Sequence, residues 1–315
     1  MGAALALAAR SRGRTAPNPN VGCVIVDDAG AVVGRGWTQP GGRPHAEAMA
    51  LAEAGARARG ATAYVTLEPC AHRSPRGPAC ADLLAAAGVA RVVAARRDPD
   101  PRTDGAGLAR LAGAGIAVET GPCADEAGRA MAGFLTRRIF GRPQVTLKLA
   151  TSLDGCIALA DGESRWITGA AARAHVHLER SRHETILVGR GTQDADAPRL
   201  DVRLPGLEGR APRVMVLSAT RPPGDGVIAA PADIARLPGD HLFVEGGAGA
   251  AAAFLAADLV DRLLLYRAPI LIGAGRRALG DIGLARLADA HGRWRMIDAR
   301  ALGSDRVEVY ERERQ

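Results

Sequence analysis

Three side chains in the first eighty residues have the chemistry of metal ligands: His45, Cys70 and Cys80. One imidazole and two thiolates suit Zn²⁺, and three protein ligands leave the fourth tetrahedral position open. A catalytic zinc needs such an open position, because water bound there ionises with a pKa of roughly 7. Glu47 follows the histidine by two residues, and its carboxylate is suited to carrying protons rather than to binding the metal. The spacing therefore predicts a hydrolytic zinc site with Glu47 as its acid and base.

The order of these residues indicates the reaction. His45-Ala46-Glu47, followed by Pro69-Cys70 and then by Cys80, is typical of zinc-dependent base deaminases. The cysteines are separated by nine residues instead of the usual two, and this longer loop is expected to narrow the range of substrates that the site accepts. One alternative is a structural zinc, for which His72 is the candidate fourth ligand. Another is a zinc-stabilised binding module, against which Glu47 argues because a structural metal needs no proton carrier.

Composition limits the class of protein. A chain of 315 residues with 47% hydrophobic and 24% charged residues can form two globular domains. No apolar run reaches membrane-spanning length and no secretory leader is recognisable, so we expect a cytoplasmic protein without a membrane partner. Five cysteines without framework spacing agree with a reducing compartment. Although the net charge is +7, aromatic residues make up only 3%, and no basic run is present, so we expect no nucleic-acid partner.

The hydrophobic pattern alternates between strands and helices in both halves, which predicts two α/β domains, residues 1–142 and 143–315. In the first domain we expect strands at 21–26, 31–37, 61–67, 91–95 and 116–119, and helices at 45–58, within 77–87, at 107–112 and at 124–139. The second should contain strands at 144–150, 185–189, 213–217, 241–245 and 263–266, and helices at 170–182 and 248–257. Helix starts at Cys70 and Cys80 would favour their thiolates.

Further motifs stand in both halves. The first half has Pro17-Asn18-Pro19-Asn20-Val21-Gly22 and Leu67-Glu68-Pro69-Cys70-Ala71-His72 besides the histidine motif. The second has Leu147-Lys148-Leu149, Ser152-Leu153-Asp154-Gly155, Gly162-Glu163-Ser164-Arg165-Trp166-Ile167-Thr168, Val188-Gly189 with Thr192, and Val244-Glu245-Gly246-Gly247. With these motifs the chain resembles the bifunctional deaminase–reductase family of riboflavin biosynthesis over nearly its whole length.

The resemblance implies a cytidine-deaminase-like three-layer domain followed by a dihydrofolate-reductase-like α/β domain. It implies zinc-dependent deamination of 2,5-diamino-6-(5-phosphoribosylamino)pyrimidin-4-one. NADPH would then reduce the ribosyl chain of 5-amino-6-(5-phosphoribosylamino)uracil. One Zn²⁺ per chain and NADPH are the expected cofactors, phosphorylated pyrimidines the expected small-molecule partners, and a homo-oligomer the expected assembly.

Candidate substrate residues of the deaminase lie in two loops. Asn18 can hydrogen-bond a pyrimidinone edge, or it is merely a turn residue between two prolines. His72, Arg73 and Arg76 lie in the loop between the cysteines and could bind a ribose phosphate, or they are solvated loop residues.

Reductase residues follow mainly from the resemblance. The cofactor would be contacted by Thr151, Trp166, Thr168, Thr192, Asp196, Ser218, Gly247, Ala248 and Gly249. The substrate would be contacted by Lys148, Ser164, Arg180, Leu200, Arg203 and Glu245, with the two arginines on its phosphate. The glycine-rich run 246–249 lies between a predicted strand and helix, where backbone N–H groups can hold a diphosphate. Lys148 is the only lysine among 41 basic residues, which indicates either a need for a compact ammonium or survival by chance. Its position in a motif shared with the family favours a role near the substrate or cofactor.

Two departures from the family pattern concern the second domain. Ala197 and Cys156 stand where the family usually has an acidic and a basic residue. Three alternatives to the bifunctional enzyme stay open. The first is a nucleoside, nucleotide or tRNA deaminase with a decayed reductase domain, and the second is a protein in which only the deaminase works. The third is the zinc-stabilised binding module.

Overall fold

The computed structural model describes residues 1–72 and 74–314, and Arg73 of the cysteine loop lies outside them. The chain divides into two compact units, Met1–Gly141 and Arg142–Gln315. No helix in the described part of the chain is long and apolar enough to cross a lipid bilayer.

The first unit is a five-stranded sheet with helices. Its helices are α1 (Gly2–Ala8), α2 (Ala46–Ala54), α3 (Cys80–Ala87), α4 (Ala106–Gly113), α5 (Ala124–Ala130) and α6 (Ala132–Phe140). Its strands are β1 (Gly22–Val26), β2 (Val32–Trp37), β3 (Thr62–Val65), β4 (Arg91–Ala94) and β5 (Ala117–Thr120). The sheet order is β2-β1-β3-β4-β5, in which β1 runs antiparallel to β2 and β3 while β3, β4 and β5 are parallel.

Helix α2 lies unusually close to the sheet. A Cβ atom built on Gly34 would lie 2.2 Å from the carbonyl oxygen of Ala50, and one on Gly36 would lie 2.0 Å from that of Ala46. Any side chain on this face of β2 would therefore push the helix away. The two glycines hold the first turn of α2, which carries Glu47, against the sheet.

Two helix predictions for the first unit were too long. The helix expected at 45–58 ends at Ala54, because Gly55 adopts a φ of 56° and starts a short 3₁₀ turn. The helix expected at 124–139 is two helices that meet at Met131, whose φ of −106° and ψ of 16° are not helical.

The second unit contains an eight-stranded mixed sheet. Its helices are α7 (Ala170–Arg180), α8 (Arg190–Asp196) and α9 (Ala248–Ala256). Its strands are β6 (Gln144–Thr151), β7 (Cys156–Ala158), β8 (Thr185–Gly189), β9 (Arg213–Leu217), β10 (Val227–Ile228), β11 (His241–Val244), β12 (Arg262–Arg267), β13 (Arg276–Arg277), β14 (Trp294–Leu302) and β15 (Asp305–Arg312).

The order of the large sheet is β10-β9-β8-β11-β6-β12-β15-β14. The first six of these strands pair in parallel, whereas β15 runs antiparallel to β12 and to β14. Its central strands β6, β8 and β11 carry fully buried Leu147, Leu187 and Phe243, as expected for parallel strands covered on both faces. The carboxyl ends of the parallel strands meet at one edge, which is where α/β sheets place ligands.

Candidate active sites

The three predicted metal ligands converge in the first unit. His45 immediately precedes α2, Cys70 lies in the loop after β3, and Cys80 is the first residue of α3. His45 Nδ1 lies 3.2 Å from Cys80 Sγ and 3.7 Å from Cys70 Sγ, and the three ligand atoms all lie within 4.8 Å of one another. Ligands of a tetrahedral zinc are separated by about 3.5–3.8 Å. The donor set and its spacing therefore fit one Zn²⁺ ion.

Only one of the two cysteines begins a helix, so the helix start predicted at Cys70 is wrong. Cys70 nevertheless lies at the beginning of α3 in space, because its Sγ accepts the N–H of Cys80 at 3.3 Å. The hydrogen bond from the Cys80 thiol lowers the pKa of Cys70 despite burial, whereas the same bond and burial raise the pKa of Cys80. A metal ion bound by both cysteines would displace their thiol protons.

Glu47 is the second residue of α2 and is only 3% exposed. Burial raises the pKa of its carboxyl group, an effect that the neighbouring His45 partly opposes. A carboxyl group with a raised pKa exchanges protons more readily near neutral pH. Its position beside the ligands agrees with the predicted role of proton carrier.

A cavity of about 390 Å³ opens over this cluster, and Asn18, His72 and Arg76 all line it. Asn18 Nδ2 lies 3.0 Å from His45 Nε2 and donates to the carbonyl oxygen of Gly42 at 2.7 Å. His72 is not part of the ligand cluster, since its Nδ1 faces Thr103 Oγ1 at 3.4 Å. The structural-zinc alternative therefore lacks its fourth ligand among the described residues.

The sequence did not predict several other charged residues that line the same cavity: Arg43, Glu68, Asp98, Asp100, Arg102 and Arg138. Burial raises the pKa of Asp98 to about 6. The Arg102 guanidinium, which donates to the Asp100 carboxylate at 2.9 and 2.6 Å, holds the pKa of Asp100 well below its usual range. The signal that could have revealed Asp98 and Asp100 is the Asp-Pro-Asp-Pro run after β4, at the carboxyl end of a parallel strand.

In the second unit, Lys148, Arg180 and Glu245 form a buried charge cluster. Arg180 donates to both carboxylate oxygens of Glu245 at 2.6 and 3.0 Å, and Lys148 Nζ lies 3.9 Å from the same carboxylate. Burial would raise the pKa of Glu245, but Lys148 and Arg180 lower it below its ordinary value. Burial lowers the pKa of Lys148, with Glu245 acting in the opposite direction. The three residues, all predicted as substrate contacts, thus lie together.

Several predicted cofactor residues lie at the carboxyl ends of the parallel strands. Thr151 ends β6 and Ser218 follows β9, and both are buried. Thr192 Oγ1, on α8, accepts the N–H of Gly247 at 3.1 Å. Gly247 caps α9, and the first helical residues are Ala248, Gly249 and Ala250. This edge of the sheet therefore offers free helical N–H groups, which suit a diphosphate.

The remaining predicted reductase residues are less clustered. Trp166 is 66% exposed, with the Arg173 guanidinium 4.7 Å from its ring centre, and Arg173 also donates to the Thr168 carbonyl oxygen. Ser164 is half-buried, and Asp196, the last residue of α8, lies 3.8 Å from Arg165.

Leu200 packs in the core with a φ of 52°, so its side chain is not exposed to a substrate. Arg203 is exposed, and its Nε lies 3.4 Å from His177 Nε2. Arg180 is already bound by Glu245 and by the Asp201 carbonyl oxygen.

Two family models match the chain, one in each unit. The model of the cytidine and deoxycytidylate deaminase zinc-binding region matches residues 1–96, and the model of the RibD C-terminal domain matches 143–230 and 229–307. A riboflavin biosynthesis protein RibD from Escherichia coli K12 is 42% identical, with 97% of this chain and 96% of that protein aligned. The corresponding protein of Aquifex aeolicus is 35% identical, over 98% and 96% of the two chains.

Solved structures agree over the full length. RibD of Acinetobacter baumannii superposes with a TM-score of 0.86 at 36% identity, covering 99% of this chain and 97% of the other. A Thermotoga maritima deaminase/reductase gives a TM-score of 0.87 at 30% identity, with the same coverages of 99% and 97%.

Fold and sites together define a zinc-deaminase domain joined to a dihydrofolate-reductase-like domain, as predicted. The chain belongs to the RibD family, whose members are bifunctional deaminase–reductases of riboflavin biosynthesis. It is thus both a hydrolase and an oxidoreductase, with a His45, Cys70 and Cys80 cluster for zinc. Its reductase domain implies a nicotinamide cofactor. The comparisons favour this function over a nucleoside or tRNA deaminase with a decayed second domain.

Proposed function

We propose that residues 1–142 deaminate 2,5-diamino-6-(5-phosphoribosylamino)pyrimidin-4-one. Residues 143–315 would then reduce the ribosyl chain of 5-amino-6-(5-phosphoribosylamino)uracil with NADPH. The description of the Thermotoga maritima relative, a diaminohydroxyphosphoribosylaminopyrimidine deaminase and 5-amino-6-(5-phosphoribosylamino)uracil reductase, supports both substrates. The observation that carries the proposal is the cavity that joins the ligand cluster, Glu47 and several cationic side chains in one site.

Glu47 performs the proton transfers of the deamination. Zinc held by His45, Cys70 and Cys80 would supply a water nucleophile that ionises near neutral pH. The buried Glu47 carboxylate would accept one proton from the water and deliver it to the ring nitrogen next to the attacked carbon. It would then move the second proton of the water from the new hydroxyl group to the amino group, which leaves as ammonia while the carbonyl forms. Its raised pKa supports this exchange in both directions.

Substrate orientation in the first unit depends on polar side chains around the cavity. Asn18 and Asp98 offer donors and acceptors for the amino and carbonyl groups of a pyrimidinone. His72 and Arg76 are available for the ribose phosphate on the cysteine-loop side, where Arg76 Nη2 bonds the Gly41 carbonyl oxygen at 2.6 Å.

The second unit contributes positioning and charge to the reduction. NADPH would supply the hydride, and its diphosphate suits the first turn of α9, with Gly247, Ala248 and Gly249. Further cofactor contacts that we propose are Thr151, Trp166, Thr168, Thr192, Asp196 and Ser218. Proposed substrate contacts are Lys148, Ser164, Arg180, Leu200, Arg203 and Glu245. The charge cluster of Lys148, Arg180 and Glu245 supports binding of a polar sugar chain at this edge.

The test is to incubate zinc-loaded protein with the diaminopyrimidinone phosphoribosyl compound, with no cofactor, NADH or NADPH, and to follow product masses. Cytidine and a tRNA are offered in parallel. We expect deamination without cofactor, reduction only after addition of nicotinamide cofactor, and faster reduction with NADPH than with NADH. Deamination of cytidine or tRNA in preference to the pyrimidinone would refute the proposed substrate. Deamination with no reduction at any cofactor concentration would refute the proposal for the second unit.

A further inference from the structure

The carboxylate of Glu68 lies two residues before the zinc ligand Cys70 and bonds to backbone N–H groups of another segment. It is only 3% exposed. Oε2 accepts the N–H of Asp98 at 3.2 Å and of Gly105 at 2.9 Å. Oε1 accepts the N–H of Gly107 at 2.9 Å and of Leu108 at 3.3 Å. Four hydrogen bonds therefore join the segment that carries Cys70 to the segment from β4 to α4.

These bonds replace a local helix cap. The residue before α4 is Gly105, which has no side chain and adopts a φ of 90°. A helix without its own cap leaves N–H groups of its first turn unpaired unless another acceptor is supplied. Glu68 supplies that acceptor from the zinc loop, so the beginning of α4 is fixed to the segment that holds Cys70.

A close backbone contact reinforces the same connection between the Cys70 segment and α4. A Cβ atom on Gly107 would lie 1.9 Å from the carbonyl oxygen of Pro69, the residue between Glu68 and Cys70. In addition, the N–H of Glu68 donates to the Arg96 carbonyl oxygen at 2.8 Å. The two segments thus meet at Glu68 through bonds in both directions, and a side chain at position 107 would force them apart.

We propose that Glu68 is a positioning residue that fixes Cys70 relative to Asp98 and Asp100, which line the same cavity. The inference rests on the proposed deaminase function. Asp98 lies in the segment that Glu68 binds, and Asp98 Oδ1 accepts the N–H of Asp100 at 2.9 Å. Loss of the Glu68 hydrogen bonds should therefore weaken zinc binding and substrate binding together, because the Glu68 carboxylate holds both the Cys70 segment and the Asp98 segment.

The test compares wild-type protein with Glu68→Gln, Glu68→Asp and a matched control, Glu53→Gln. Glu68→Gln replaces one acceptor oxygen by an NH₂ group that faces N–H donors, and at least one of these donors loses its partner. Glu68→Asp keeps the charge and both oxygens. Glu53 lies in the same unit, where its carboxylate accepts the Arg35 N–H at 2.7 Å at an exposed position.

We expect Glu68→Gln to release zinc to a chelator about 10–100-fold faster and to raise KM for the pyrimidinone by a similar factor. Glu68→Asp should recover part of both effects, and Glu53→Gln should match wild type. Reduction by the second unit, assayed on the deaminated compound, should be unchanged in all variants. A folded Glu68→Gln protein with wild-type zinc release and KM would overturn the inference.

A second variant covers the case in which Glu68→Gln does not fold. Gly107→Ala keeps every hydrogen-bonding group but separates α4 from Pro69, so it should also speed zinc release and raise KM. Gly113→Ala, in the same helix with nothing within 4 Å of its added methyl group, is the control and should change neither. Equal behaviour of the two alanine variants would contradict the inference. The proposed function can fail separately from this inference. If the wild-type protein does not deaminate the pyrimidinone but Glu68→Gln still releases zinc rapidly, the proposed function is refuted and the positioning role of Glu68 stands.

Discussion

Two buried glutamates border the same cavity, and their surroundings give them different roles. The two carboxylate oxygens of Glu68 accept four backbone N–H groups, so its side chain is held in place by the backbone around it. Glu47 is equally buried, but it lies beside the zinc ligands, and burial raises its pKa. A carboxylate that is free to gain and lose a proton can do chemistry, whereas a saturated one can only hold its neighbours.

Replacement of Glu47 by glutamine should remove proton transfer and leave the remaining site intact. We expect deamination to fall by about 10²–10⁴-fold, because general acid–base catalysis contributes that much. Zinc content, measured by atomic absorption, should stay at one ion per chain because the three ligands are unchanged. Wild-type deamination by Glu47→Gln would show that another group carries the proton, with Asp98 the nearest candidate by its pKa of about 6.

At the residue scale, the ligands could be predicted from sequence because their chemistry is written in short motifs. A histidine, a glutamate and two cysteines in order indicate zinc without any knowledge of the fold. The contact of Arg138 with Asp100 at the same cavity could not be predicted in this way. Arg138 lies on α6, far along the chain from Asp98, and only the folded sheet brings it within 3.3 Å of Asp100.

At the scale of elements, backbone contacts rather than side chains place the first active site. Helix α2 touches β2 through Gly34 and Gly36. This helix begins directly after His45, and its first turn carries Glu47. The same principle operates at α4, which approaches Pro69 through Gly107. The beginning of α2 carries Glu47, and the beginning of α4 donates N–H groups to Glu68, so we expect a small displacement of either helix to change the site.

Gly36→Ala should therefore destabilise the first unit and impair deamination. The added Cβ atom would lie 2.0 Å from the Ala46 carbonyl oxygen, which is backbone and cannot rotate away. We expect a loss of about 1–3 kcal/mol in the free energy of unfolding, as for other overpacked sites, measured by urea denaturation. Gly2→Ala, on α1 with nothing within 4 Å, is the control and should be neutral or slightly stabilising. Equal stability of both variants would mean that α2 moves away from β2 without cost.

The pairing of β8 with β11 should depend on pH through Glu184. Its carboxylate accepts the N–H of His241 at 2.9 Å and lies 3.3 Å from His241 Nδ1. Burial would raise the pKa of Glu184, but the His241 side chain and N–H lower it from 4.5 to about 2. Because the folded-state pKa is depressed, the stabilisation is complete above about pH 4.5 and is lost as the pH falls toward 2.

Glu184→Gln should therefore be less stable than wild type at pH 6, with a difference that shrinks as the pH falls to 2.5. Urea unfolding of both proteins across this range measures the difference directly. A difference that is constant with pH would show that the carboxylate acts only as a neutral hydrogen-bond acceptor.

Element boundaries were harder to predict than element types. Strand positions agreed to within a few residues, because buried β-branched runs are a local signal. The hairpin of β14 and β15 escaped prediction, since β14 is largely exposed and its sequence does not alternate between apolar and polar residues. Helix α8 escaped for a similar reason, because none of its residues is buried.

At the scale of the whole molecule, the residues that form the two candidate sites fall in different units. The zinc ligands, Glu47 and the cavity all lie in residues 1–141, and the Lys148, Arg180 and Glu245 cluster lies in residues 142–314. Each unit also has its own hydrophobic core. In the proposed function, the deaminated compound is the product of the first unit and the substrate of the second.

Two inactive variants should consequently restore each other when mixed. Glu47→Gln removes deamination, and Lys148→Met removes a buried ammonium group 3.9 Å from Glu245 and should impair reduction. We expect neither protein alone to convert the diaminopyrimidinone to the reduced product with NADPH, whereas the mixture should do so after a lag. The lag should shorten as the concentration of the Glu47→Gln protein rises, because the rate at which this protein consumes the intermediate sets the time to steady state. A mixture that deaminates but never reduces would mean that the intermediate is not released, and the two units would then have to act on it within one molecule.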